Sequence, residues 1–295
     1  MRRAVLVALI LAAFPAVALA QREPGPVDAI GMLNFRHRPT FKPGDWVRYR
    51  TRGDSEQGYK TDYSVIALIA GEELWWGEAC FWIETTTSFG GGRNATTASL
   101  VSYAVFDDSL ASKHFLYYMR KYINGFDDSG KPIQELFQRS AAELISRPQE
   151  DQVHHKIDTL GVETVEVPKG KFRALRIKDV LREGITRHEG DSTLYYERNE
   201  EQNFWYSDSI PITGLVRIDH DNTQRGRSWV AGESKNAELK TLEHAKGSTV
   251  VEDYGTGMKS QLPDARFQRP LREQGLTQEK PPAPAKPRRT AARRG

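Results

Sequence analysis

The chain has 295 residues, with 42 Lys and Arg against 39 Asp and Glu, a formal charge of +3. Its single cysteine, Cys80, excludes an internal disulfide and any C-x-x-C metal or redox centre. The modest charge averages two regions of opposite sign: the tail from Lys259 to Gly295 carries ten basic and three acidic residues, a surplus of +7. Arg2 and Arg3 add two more positive charges, so the body between is near −6.

The first 20 residues, "MRRAVLVALILAAFPAVALA", have the layout of a secretion signal. Two arginines precede an apolar run of about ten residues, Ala4 to Ala13, and Ala18-Leu19-Ala20 is a small-x-small cleavage site. The run is too short to span a bilayer, and no later apolar segment is long enough either. The mature chain is expected to begin near Gln21, and the protein to be periplasmic or secreted. Residues 21–34 read as an N-terminal extension, 35–246 as one β-rich domain, and 247–295 as a disordered basic tail rich in Pro, Ala and Arg.

Within the domain the leading signal is period two. "DWVRYRTR" alternates Trp46, Arg48 and Arg50 against Val47 and Tyr49, and "DYSVIALIAG" reads as a more fully buried strand. "ELWWGEACFWIETTTS" is aromatic and β-branched, with Gly77 as a bend. "GGGRN" at 90–94 is a turn, and "TASLVSYAVFDD" is the next strand. "KHFLYYMRKYI" suits a strand at least as well as a helix. The best helical spacing lies over Ile133 to Ile145, where Leu136, Phe137, Ala141 and Leu144 fall near one face. "ETVEVPKGKFRALRIK" is a hairpin: Val167-Pro168-Lys169-Gly170 fits a type I turn, with a one-residue bulge expected at Gly170. Leu175 and Ile177 would then carry the apolar face of the second strand, with Phe172 on the opposite parity. "TLYYERNEEQNFWYS" divides into two strands around a polar turn at Asn199 to Gln202, and "GLVRIDHD" and "AELKTLEH" follow. The fold class is therefore mainly β: a single antiparallel curved sheet or half-barrel, with one or two short helices.

Two pieces of this pattern resemble a group of bacterial periplasmic proteins with a half-barrel like that of the lipoprotein carrier LolA. The matching residues are Val167, Pro168, Gly170 and Phe172, then Trp205-Tyr206-Ser207, Pro211 and Gly214-Leu215-Val216. The resemblance covers about 60 residues, Glu163 to Asp219. Its motifs are turn and core positions, so it implies a fold and no catalytic residues.

Catalytic signatures are absent: no H-E-x-x-H, G-x-S-x-G or P-loop occurs. Asp127-Asp128-Ser129-Gly130 reads as a turn, since its ligands miss the offsets of a calcium loop. His154-His155 reads as an exposed polar loop, and His188 and His220 as turn residues beside carboxylates. Cys80, between Glu78 and Glu84 and among aromatics, reads as a buried small hydrophobe. No metal, cofactor or catalytic residue is assigned.

What remains is aromatic. Trp75, Trp76, Trp82, Tyr195, Tyr196, Phe204, Trp205 and Tyr206 cluster in three inferred strands. They either fill a core or line an apolar groove on the concave face, where an acyl chain or a lipidated partner would lie. The leading function is a non-catalytic exported protein binding such a ligand. The alternative is a structural envelope module whose basic tail contacts an anionic polymer or membrane. A hydrolase built on His188, Glu189 and Asp191 ranks third, and no specific nucleic-acid partner is indicated.

Overall fold

The computed structural model describes residues 40–75, 77–107, 118–126, 132–137, 152–230 and 238–260. Eleven strands form one antiparallel sheet. They are β1 (Trp46–Ser55), β2 (Lys60–Trp75), β3 (Glu78–Phe89), β4 (Arg93–Ser102), β5 (Met119–Phe126) and β6 (Pro132–Phe137), then β7 (Gln152–Val167), β8 (Gly170–Glu189), β9 (Ser192–Tyr206), β10 (Leu215–Val230) and β11 (Lys240–Gly255). Their order across the sheet is β6-β5-β4-β3-β2-β1-β11-β10-β9-β8-β7. The chain thus meanders outward from β1 to one edge, resumes at the opposite edge, and meanders inward until β11 pairs with β1. Neighbours within each wing are consecutive in the chain and antiparallel, and β2–β3 and β7–β8 are joined by tight turns.

The sheet is curved by bulges. Ala70, Arg120, Leu160, Val216, Leu242 and Glu252 are each the extra residue where the register slips by one. A bulge bends its strand and raises the local right-handed twist.

The main core joins the two wings. Val47 and Tyr49 of β1, Ile69 of β2, Phe81 and Ile83 of β3 and Val251 of β11 pack with Ile210, Ile212 and Leu215 beside the start of β10. Phe81 lies at the centre of a ring cluster, 5.0 Å from both Phe41 and Tyr103 and 5.9 Å from Phe106. Such rings gain offset and tilted contacts beyond their burial. The alternate residues of the same strands face the other way into a second core of Ala70, Trp75, Cys80, Trp82, Ala98, Leu100 and Ile123. The β2–β5 wing is therefore apolar on both faces, which accounts for its near-continuous hydrophobic runs.

The structure corrects several expectations. Residues 132–137 form strand β6 rather than the start of a helix, and 138–145 lie outside the described residues. The described residues hold one short 3-10 turn, Tyr103–Asp107, where a strand was expected to continue. Gly77, at φ 82°, is a hairpin turn between β2 and β3 rather than a bend within one strand. The polar stretch Asn199 to Gln202 is not a turn: β9 runs straight through it, paired on both sides. His154, His155 and His220 lie within strands, and His188 near the end of one. The domain does not stop at Lys246, because β11 continues to Gly255 along β1.

The hairpin at Pro168-Lys169 has no bulge at Gly170. Val167 pairs with Gly170 and Val165 with Phe172, and the slip lies ten residues earlier, at Leu160. Val165, Val167, Phe172 and Ala174 are consequently the buried set near the turn, while Leu175 is exposed. The hairpin tip reaches back to β11, where Lys169 pairs with Asp253 and the Phe172 ring sits 6.4 Å from that of Tyr254. Signal peptide, extension, the Asp127–Gly130 turn and the tail beyond 260 lie outside the described residues.

Candidate functional site

The eight aromatic residues singled out by sequence do not form one surface. Trp75 and Trp82 belong to the second core. The Lys121 ammonium lies 4.3 Å from the Trp75 ring centre, and Glu73 accepts from the Trp82 indole at 2.8 Å and meets Lys121 at 3.4 Å. A cation, its counter-ion and two indoles thus satisfy one another. Trp76 lies outside the described residues. Tyr195 and Tyr196 sit farther along β9, half-buried and on opposite faces because they are adjacent in a strand.

The same alternation separates the "FWY" triplet. Trp205 is directly paired with Arg176 and Arg217, whose guanidinium carbons lie 5.1 and 5.4 Å from its ring centre. Its indole donates to Glu163 Oε1 at 2.5 Å. Trp205 is 7% exposed, so its ring faces protein. Phe204 and Tyr206 are on the other face, stacked on each other at 5.9 Å with planes 4° apart.

Around that stacked pair the register builds an apolar strip. Val162 pairs with Leu175, Leu175 with Tyr206, and Tyr206 with Leu215. One step along, Ile177 pairs with Phe204 and Phe204 with Ile218. The strip is graded: Val162 is 54% and Leu175 36% exposed at the β7 edge, whereas Ile177 and Leu215 are buried. Phe204, Tyr206 and Ile218 pack against the main core. An oily surface therefore begins in the open and runs into the interior. Four of the six large hydrophobic residues exposed among the described ones, Ile157, Leu160, Val162 and Leu175, lie on this hairpin, and Leu160 is its bulge residue. Solvated apolar groups concentrated on one hairpin mark an interaction surface more than scattered ones do. Sequence reasoning found Phe204 and Tyr206 and placed Leu175 with Ile177 on the apolar face of their strand, but missed Val162 and Ile157; their partners come from pairing, which the local pattern does not encode.

The titratable candidates are held in ordinary contacts. His188 is exposed near the end of β8 with Thr193 Oγ1 at 3.1 Å, and Asp191 is exposed in the adjoining turn. His155 meets Asp179 at 2.6 Å. His220 lies over Gly247, and burial pushes its pKa below the usual imidazole value. The Cys80 thiol is pushed up to about 12, chiefly by burial and then by Glu78, so the reactive thiolate is disfavoured. Among the described residues no group of three or more His, Cys, Asp or Glu is placed to hold a metal ion, and no helix is long and apolar enough to cross a membrane.

No family model and no curated protein matches the chain. Solved structures to which the chain is similar include the following three. A candidate exported protein of YmcC-like fold from Bacteroides fragilis is 13% identical, with a TM-score of 0.31 over 74% of this chain and 98% of that one. A candidate lipoprotein from Parabacteroides distasonis is 12% identical, with a TM-score of 0.32 over 74% of this chain and 100% of that one. A LolA superfamily protein from Nitrosomonas europaea is 13% identical, with a TM-score of 0.26 over 82% of this chain and 97% of that one.

Proposed function

We propose that this is an exported, non-catalytic binding protein that holds an acyl chain, free or on a lipidated partner, along the apolar strip of β7 to β10. The observation that carries the reading is the graded row Val162–Leu175–Tyr206–Leu215, exposed at one end and buried at the other. A chain laid on it removes Val162 and Leu175 from water together with its own methylenes, each methylene contributing about 0.8 kcal/mol when fully buried. Export rests on the leader at residues 1–20. The test is titration of the mature protein with a fluorescent fatty acid, beside the Val162→Asp/Leu175→Asp double variant. The reading expects saturable binding that weakens by roughly a hundredfold, because a carboxylate in the path must be stripped of water without a partner. Equal binding by both proteins, or none by the parent, would refute it.

A further inference from the structure

The face of β8–β10 opposite the apolar strip carries a second and different feature. A concavity of about 890 Å³ opens there to solvent, and its side chains come from two transverse rows of directly paired residues. One row is His154, Arg182, Asn199 and Thr223; the next is Gly184, Glu197 and Arg225. Strand alternation places these on the side away from Leu175, Ile177, Phe204 and Ile218. Gly184 lies on the floor: a Cβ there would stand 3.0 Å from the Tyr195 hydroxyl, so the bare glycine gives that ring room to lie close across it. Arg227 covers the ring from 5.1 Å, and the Tyr195 hydroxyl donates to Glu197 at 3.2 Å.

The charges in this hollow are unbalanced. Glu183 and Arg198 also border it, but they belong to the opposite parity, where Arg198 pairs with Glu200 and, at 3.9 Å, with Glu183. The side chains turned inward are Arg182 and Arg225 against Glu197. Both arginines are exposed, and among the described residues neither has a carboxylate partner; Arg182 has only Asn199 Oδ1 at 3.3 Å from its Nε. Two guanidinium forks facing one carboxylate, with which neither forms an ion pair, make a local positive site in a body whose net charge is near −6. Around them stand an amide, a hydroxyl and a carboxylate, groups that bond alcohols. The volume exceeds a single sugar ring, and the open side admits a chain.

We infer that this saddle binds an acidic oligosaccharide, with Arg182 and Arg225 taking its carboxylates and Asn199, Thr223 and Glu197 its hydroxyls. The inference does not depend on the acyl-binding strip, which uses the other face. The test is calorimetric titration of the mature full-length chain with tetragalacturonic acid, neutral maltotetraose and inorganic phosphate at near-physiological salt, beside Arg182→Ala and Arg182→Ala/Arg225→Ala. The basic tail is present in every protein, so differences report the saddle. Tetragalacturonate affinity should fall roughly tenfold in the single variant and further in the double, the scale of lost charge-assisted hydrogen bonds. The neutral tetramer should bind at least about tenfold more weakly than the acidic one in the parent. Both substitutions are at exposed positions, so melting curves should superpose. Parent-like binding by the double variant, no uptake of tetragalacturonate by the parent, or phosphate binding as tightly as the tetramer would each overturn the inference.

Discussion

Tyr49 is the most informative single residue to alter, because one hydroxyl ties β1 to the segment that enters β10. Its ring is fully buried, as are Thr213 and Leu215. The Tyr49 hydroxyl donates to the Leu215 carbonyl at 3.0 Å, and the Leu215 amide donates to Thr213 Oγ1 at 3.0 Å. Thr213 and Tyr49 are in contact, and since the phenol proton is committed to Leu215, the Thr213 hydroxyl must donate to Tyr49. The three bonds form a closed ring across 164 residues of sequence, with one donor and one acceptor used at each corner. Burial also drives the phenol pKa well above its ordinary value, so the hydroxyl keeps its proton at any working pH. Tyr49→Phe strands the Thr213 hydroxyl and takes a donor from Leu215, which should cost roughly 1–3 kcal/mol. Thr213→Val strands the Leu215 amide at a similar cost, again about 1–3 kcal/mol. In the double variant no hydroxyl is left to strand, so its cost should fall short of the sum by about 1 kcal/mol. Urea unfolding followed by tryptophan fluorescence measures all four corners of the cycle. Strict additivity, or a Tyr49→Phe cost below about 0.5 kcal/mol, would show that the ring of bonds is not formed.

Two further substitutions test other joints of the sheet. His244 links Glu56, at 2.7 Å, and Asp221, at 2.9 Å, so Glu56 first and Asp221 second raise its pKa above the usual imidazole value. A raised folded-state pKa means stability fully present below the unfolded value of about 6.5 and lost as pH rises through the folded one. His244→Gln should therefore flatten the decline in stability as pH rises above about 6.5 at low salt; an unchanged slope would remove His244 from it. Gly247→Ala would place a methyl 2.5 Å from His220 Nε2 and 2.6 Å from the Arg52 carbonyl. The imidazole can move but the β1 backbone cannot, so the change should destabilise by about 1–3 kcal/mol even when His220→Ala is added. Full recovery in that double variant would show the imidazole alone to be the obstacle.

Strand β1 was legible because its alternation is strict, and β2 and β3 because their long apolar, β-branched and aromatic runs are bounded by turn residues. Val47 and Tyr49 against Trp46, Arg48 and Arg50 in β1 name both the element and its buried face. The second wing was harder for an identifiable reason. Asn199 to Gln202 carries polar residues on both parities, which locally looks like a turn. It is held extended by β8 and β10, as Asn199 shows, paired with Arg182 and Thr223. In Ile133 to Phe137 the strand is too short for its period to be told from a helical one. The end of the domain was misplaced because "STVVEDYG" adjoins the charged tail; pairing of Val251 with Tyr49 and Tyr254 with Val47 decides it. The missing Gly170 bulge follows from one pair, Val165 with Phe172, which the turn sequence alone does not dictate.

The aromatic residues carry a more general lesson about sites on sheets. Phe204, Trp205 and Tyr206 are consecutive in a strand, so they cannot share a groove however similar their chemistry. Period two sends Trp205 to the guanidinium-lined side and its neighbours to the strip. The two wings then differ in what they leave unmet. In β2–β5 both faces are filled, and even Lys121 is matched by Glu73 and two indoles. In β7–β10 one face exposes Val162 and Leu175, and the other turns Arg182 and Arg225 into a hollow without a carboxylate partner among the described residues. Unmet apolar area and unmet charge are free-energy terms a ligand can supply. Both proposed sites therefore lie on the second wing, on faces of opposite chemistry.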